Sequence, residues 1–195
     1  MSEHAGRLIV FEGGEGCGKS TQAALLARRL GALLTHEPGA TEVGKALRAL
    51  VLDSSLDIDP RAEALVMLAD RAQHVAEIIR PALAAGRDVV SDRFVGSTLA
   101  YQGFARGLPV AELAELSRWA SGGLEPDLVI LLDVPAEVAV SRLGRDLDRM
   151  ERAGTDFHLR VVEGYRSLAA ADSRWRLVDG SGTVEEVETR VLAAL

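Results

Sequence analysis

Cysteine is nearly absent from this sequence. The single Cys17 excludes an internal disulfide framework and a multi-cysteine zinc centre. Aromatic residues are also few, at 4%, and no apolar run approaches the ~20 residues of a membrane-spanning helix. Basic charge is not in excess: 29 acidic side chains face 22 basic ones, a formal net charge of −7. That balance argues against bulk binding to a nucleic-acid polymer or an anionic membrane. No basic segment followed by a long apolar stretch opens the chain, so no signal peptide is read there. Lysine is the last scarcity, with only Lys19 and Lys45; the other basic residues are arginines. Any motif that requires lysine must use one of those two positions.

What is present suffices for a core. Hydrophobic residues make up 48% of 195 residues, which predicts one cytoplasmic domain over 1–195 with no linker, repeat or low-complexity tract. Short apolar runs at 7–11, 33–35, 88–91, 128–133 and 175–178 read as strands. Helical patterns fill 19–30, 42–52, 60–79, 110–120, 136–143, 156–171 and 184–195. Pro60 suits a first helical turn, whereas Pro81 kinks the long helix or starts a new turn. Nearly all-apolar strands separated by helices predict an α/β fold with about five parallel strands, covered on both faces in three layers.

The first strand runs into Gly13-Gly14-Glu15-Gly16-Cys17-Gly18-Lys19-Ser20. This satisfies the phosphate-loop pattern G-x-x-x-x-G-K-[ST], in the strand–loop–helix setting that gives the pattern meaning. Glycines let consecutive backbone N–H groups turn toward phosphate oxygens, and the helix N-terminus adds positive potential. Lys19 is placed to neutralise β- and γ-phosphate charge, and the Ser20 hydroxyl to ligate Mg²⁺. Gly13, Gly14, Glu15, Gly16, Cys17, Gly18, Lys19 and Ser20 are therefore the expected ATP-binding residues. A guanine-reading Asn/Thr-Lys-x-Asp motif is impossible, because Lys45 is followed by Ala46 and Leu47. Ser121-Gly122-Gly123 is too close to the strand at 128–133 for a transporter-ATPase signature, and it reads as a helix stop.

Asp92-Arg93 follows the third strand. In an open parallel sheet that end of the strand faces the ligand crevice. Asp92 is expected to join Ser20 at Mg²⁺ or to accept a proton, and Arg93 to grip a phosphate.

With these pieces in hand, the chain resembles the thymidylate kinases, phosphate-loop enzymes that phosphorylate a nucleoside monophosphate. The resemblance rests on the loop with Glu12, then Glu37-Pro38-Gly39-Ala40-Thr41, then Leu68-Ala69-Asp70-Arg71-Ala72-Gln73-His74. It continues with Asp92-Arg93-Phe94, Ser97, Ala100-Tyr101-Gln102-Gly103, Glu125-Pro126-Asp127 and Asp148-Arg149-Met150-Glu151, with Phe157 and Tyr165. It implies the reaction ATP + dTMP → ADP + dTDP with Mg²⁺, and a homodimer formed by helix packing.

The resemblance also implies an acceptor site for dTMP made by Glu15, Pro38, Arg48, Met67, Arg71, Arg93, Ser97, Tyr101 and Gln102. Glu15 matches the group at the 3′-hydroxyl, Arg71 the donor to the thymine carbonyl edge, and Arg93 the residue on the 5′-phosphate, with Arg48 assisting. Ser97 and Gln102 match base-side positions. Tyr101 matches a residue packed where a ribose 2′-hydroxyl would lie. Met67 stands where the family often has an aromatic stacking residue, and Ala40 replaces a common glycine. Residues 142–154 match a short lid, whose Arg145, or failing that Arg149, would close over the phosphates. The turn Asp179-Gly180-Ser181-Gly182 is a candidate wall for the adenine.

Two rivals remain at this level. A kinase of another monophosphate or of a deoxynucleoside would keep the fold; the latter would need Glu12 or Asp92 as a base. A nucleotide-gated binding ATPase would need no acceptor site.

Overall fold

A computed structural model of the chain describes residues 6–142, 149, 150, 152 and 154–195. Its five strands are β1 (Leu8–Glu12), β2 (Leu33–His36), β3 (Val89–Asp92), β4 (Leu128–Asp133) and β5 (Trp175–Asp179). All four pairings are parallel, in the order β2-β3-β1-β4-β5. The fully buried β1 explains the all-apolar strand pattern: alternate side chains of one strand face different layers of helices. Ile9 and Phe11 pack with Leu26 of α1 (Lys19–Leu30) and Val187 and Val191 of α9 (Val184–Ala193). Leu8 and Val10 face the other way, onto Val75, Ile79 and Phe94.

The remaining helices are α2 (Glu42–Leu52), α3 (Pro60–His74), α4 (Arg80–Ala84), α5 (Val95–Thr98), α6 (Val110–Ala120), α7 (Ala136–Arg142) and α8 (Thr155–Ala171). The predicted helix 60–79 is longer than expected. A π-helical turn at Val75–Ile79 carries α3 directly into α4. Pro81 supplies no N–H to the ladder, and the wider turn just ahead of it accommodates the loss.

Sequence reading misses one helical stretch. α5 and a second π-helical turn, Leu99–Ala105, form a segment that is buried nearly all round. It has no solvent-exposed face, and its polar residues Ser97, Thr98 and Gln102 are buried, so it lacks the usual pattern of a surface helix. Gly96 lets this segment press against the sheet. A Cβ there would lie 2.8 Å from both Glu12 Oε1 and Trp175 Cη2.

The strand order sets the position of the site. β1 and β3 are neighbours, with Phe11 opposite Asp92, so the loop after β1 and Asp92-Arg93 after β3 leave the sheet side by side. This is the crevice at the carboxyl ends of the strands where the order reverses.

Candidate active site

The loop after β1 turns on glycines with positive φ: 145° at Gly13, 72° at Gly16 and 93° at Gly18. No side chain caps α1 at Gly18, so its first N–H groups face into the loop. Lys19 is buried, and its Nζ donates to the Gly14 carbonyl at 2.7 Å. The Ser20 hydroxyl donates to Asp92 Oδ2 at 2.5 Å. Asp92 Oδ1 is buried and accepts from no group among the described residues. Beside the loop, Arg142 donates to the carbonyls of Gly180 at 3.1 Å and Gly182 at 3.3 Å. Its Nη1 would be 4.0 Å from a Cβ on Gly18. The end of α7 is thereby clamped to the 179–182 turn next to the loop. Arg142 thus stands beside the loop, where sequence reasoning saw only the first residue of a short lid.

Next to the loop is a cavity of about 170 Å³. Eight of the nine residues expected on the acceptor side line it: Glu15, Pro38, Arg48, Met67, Arg93, Ser97, Tyr101 and Gln102. Val51, Leu52 and Met150 complete the wall without having been expected there. Arg93 is central. It is the one non-glycine residue with positive φ among the described residues, at 74°. This sparsely populated conformation turns its side chain from the strand end into the crevice. Its guanidinium donates to Ser97 Oγ at 3.1 Å and to the Tyr165 hydroxyl at 3.3 Å, pairs with Glu15, and lies 5.1 Å from the Tyr101 ring centroid. Burial disfavours the Arg93 cation, but Glu15 and its other neighbours hold its pKa well above the ordinary value.

Glu15 also accepts from the Tyr101 hydroxyl at 2.8 Å. Burial pushes its carboxyl up, yet Arg93 and Lys19 outweigh this and hold it at about 2, against an ordinary value of 4.5. A depressed carboxyl stabilises the folded state fully above its ordinary pKa. That stabilisation is lost as pH falls toward 2. Glu15→Gln should therefore lower the urea midpoint at pH 6, and the gap to the parent should narrow at pH 3. A gap independent of pH would contradict this charge assignment.

Glu12 holds the pocket floor from below. It is fully buried, and burial raises its pKa. It accepts from the backbone N–H groups of Phe94 and Ser97, both at 3.0 Å, from Ser97 Oγ at 2.6 Å and from the Tyr165 hydroxyl at 3.1 Å. It thus orients Ser97 and Tyr165, two of the groups that hold Arg93.

Arg71 departs from expectation. It is fully buried and does not line the cavity. It lies behind the wall, where Nε donates to Glu37 Oε2 at 2.9 Å, Nη1 to Thr98 Oγ1 at 3.0 Å and Nη2 to the Phe94 carbonyl at 2.8 Å. The buried Glu37 carboxylate draws it there, and His74 Nδ1 bonds the same carboxylate at 2.9 Å.

Arg149 also departs from expectation. It binds the Val51 carbonyl at 2.8 Å and Glu63 Oε2 at 2.6 Å rather than the phosphate loop. The cause is Glu63, a fully buried carboxylate that requires cationic partners. Arg145 and most of the expected lid lie outside the described residues.

The model of the family described as thymidylate kinase matches residues 11–191. The chain belongs to the thymidylate kinase family. It is 48% identical to the thymidylate kinase of Leifsonia xyli, over 97% of this chain and 94% of that one. With the thymidylate kinase of Synechococcus sp. strain JA-2-3B'a(2-13) it shares 47% identity over 94% and 91% of the two chains. The fold matches the crystal structure of thymidylate kinase from Ehrlichia chaffeensis with a TM-score of 0.82, at 27% identity and over 97% and 98% of the chains. Both the loop and the strand-end motif that carried the resemblance fall within this matched range.

Proposed function

We infer that the protein transfers the γ-phosphoryl group of ATP to dTMP, giving ADP and dTDP. One observation carries this reading within a family of thymidylate kinases: adjacent strands bring the phosphate loop and Arg93 to one crevice, with the acceptor cavity opening beside both.

The reaction is an in-line displacement. The attacking group is an oxygen of the dTMP phosphate, already anionic at pH 7, so no strong general base is needed. Catalysis consists of positioning and charge neutralisation. Lys19 turns from the Gly14 carbonyl to the β- and γ-phosphates. Arg93, held by Ser97 and Tyr165, grips the 5′-phosphate bidentately. Glu15 accepts from the 3′-hydroxyl, Tyr101 fills the space of a ribose 2′-hydroxyl, Met67 covers the base face, and Ser97 and Gln102 lie at the base edge. Pro38 and Arg48 close the cavity, since Arg48 donates to the Pro38 carbonyl at 3.0 Å. Arg71 acts from beneath as a positioning residue. Arg142 and the 179–182 turn wall the adenine, and Arg145 belongs to this reading as the closing arginine.

Ser20 and Asp92 suit Mg²⁺, which ordinarily takes one or two protein oxygens and completes its shell with phosphates and water. The buried Asp92 Oδ1, without a partner among the described residues, supports that fit. When bound, Mg²⁺ neutralises charge that develops on the transferring phosphoryl group.

The deoxynucleoside-kinase alternative loses one of its bases, because both Glu12 oxygens are committed beneath the floor. A homodimer through α3 and α6 is part of the reading. It would cover Leu65, Leu116 and Trp119, exposed by 59%, 43% and 81%. The expected location is the cytoplasm. Among the described residues no helix is long and apolar enough to cross a membrane.

The test is a coupled ADP-release assay with Mg·ATP and dTMP, dUMP, UMP, CMP, AMP, GMP or thymidine. Turnover should strongly favour dTMP. Preference for another acceptor would move the fault to the base pocket, and turnover independent of any acceptor would leave only a binding ATPase.

A further inference from the structure

Among the described residues, Glu63 is the one fully buried carboxylate next to the acceptor cavity to which the reaction above gives no task. Its side chain has no exposed surface, although it lies in the first turn of α3, where an acid ordinarily faces solvent. It receives four donors. Gln102 Nε2 gives one at 2.9 Å, Arg106 Nε and Nη2 give two at 3.3 and 3.1 Å, and Arg149 Nη2 gives one at 2.6 Å.

An ionised carboxylate can only accept hydrogen bonds. The amide of Gln102 must therefore turn its NH₂ toward Glu63 and its carbonyl away. Gln102 lines the acceptor cavity, and its Oε1 is buried with no partner among the described residues. An unsatisfied buried acceptor at the wall of a ligand pocket selects a ligand that donates. We propose that Glu63 is a positioning residue for substrate choice: it locks the Gln102 amide with its carbonyl toward the base, so that the pocket takes a pyrimidine imide, which carries N3–H, and rejects a 4-aminopyrimidine, whose N3 accepts. The proposal rests on the reading of Gln102 as a base-side residue.

Arg106 and Arg149 keep the lock ionised. Burial pushes the Glu63 carboxyl up, but the Gln102 and arginine hydrogen bonds outweigh it and hold it below the ordinary value. A neutral residue in its place would let the amide rotate and present either edge.

The experiment compares kcat/KM for dTMP, dUMP and dCMP in the full chain with Mg·ATP. In Glu63→Gln the dTMP-to-dCMP ratio should fall by about tenfold or more, the scale of one buried hydrogen bond. The loss should fall on KM rather than kcat, and dTMP and dUMP should move together, because both present the same N3–H. Glu63→Asp retains the charge for the arginines but shortens the reach to Gln102. It should lower the same ratio and serves if Glu63→Gln does not fold. Arg106→Gln removes one of the two cations that hold Glu63 and should lower the ratio less than Glu63→Gln does. An unchanged ratio in both Glu63 variants overturns the proposal. Gln102→Leu separates it from the reading beneath: if that variant leaves the KM for dTMP unaltered, the base-side assignment of Gln102 is what fails.

Discussion

Lys19→Ala should lower turnover by about 10²–10³-fold, the scale of removing one preorganised charge-stabilising group. The sequence makes no replacement available. The other lysine, Lys45, is on an exposed face of α2, paired with Glu42. Lys19 sits at the start of α1, where the loop N–H groups and the helix N-terminus already favour anions, so its ammonium completes a site that water does not screen. In-line transfer with no general base depends on that charge more than on any proton relay. The loss should fall mainly on kcat, with the fold intact by circular dichroism, because Nζ makes one backbone hydrogen bond to Gly14 and a long contact to Cys17 Sγ. Turnover near the parent level would remove the mechanism.

The largest stability effect should come from Arg71→Leu, a loss of about 3–5 kcal/mol. The pair is deeply buried: the Arg71 and Glu37 side chains are 1% and 2% exposed. Removing the arginine leaves Glu37 with His74 as its neighbouring donor, and leaves Thr98 Oγ1 and the Phe94 carbonyl without their Arg71 bonds. For a domain of this size that loss is a drop of about 10 °C or more in melting temperature. Glu37→Gln added to Arg71→Leu should restore part of it, because the uncompensated charge is gone. A shift within one degree for Arg71→Leu would show that the ion pair contributes nothing net. Measured well below its melting point, the same variant also reads the KM for dTMP, which tests the positioning role of Arg71.

The outcome at Arg71 shows where sequence reading stops. The family resemblance puts Arg71 at the base edge, but the buried Glu37 holds its guanidinium behind the wall. Glu63 is a similar case. Four residues after Asp59, the cap of α3, it reads as a first-turn acid that complements the helix dipole. Only the packing of Arg106, Arg149 and Gln102 around it reveals a buried charge. The segment 95–105 escaped because a helix enclosed on all sides has no solvent-exposed face to mark its period, and its polar residues Ser97, Thr98 and Gln102 are buried.

The phosphate loop, the parallel sheet and most of the helix limits are determined by the sequence alone. Glycines, buried apolar strands and caps act over a few residues, so local order carries that information. α1 begins at Lys19 and ends before Gly31, and β4 spans 128–133, as the local pattern predicts. The tertiary structure decided which polar groups share the crevice and which are consumed by buried charges. A carboxylate deprived of water takes its partners from whatever the fold brings within about 3 Å, and here they come from residues 34 to 153 positions away in sequence for Glu37, Glu63 and Glu12.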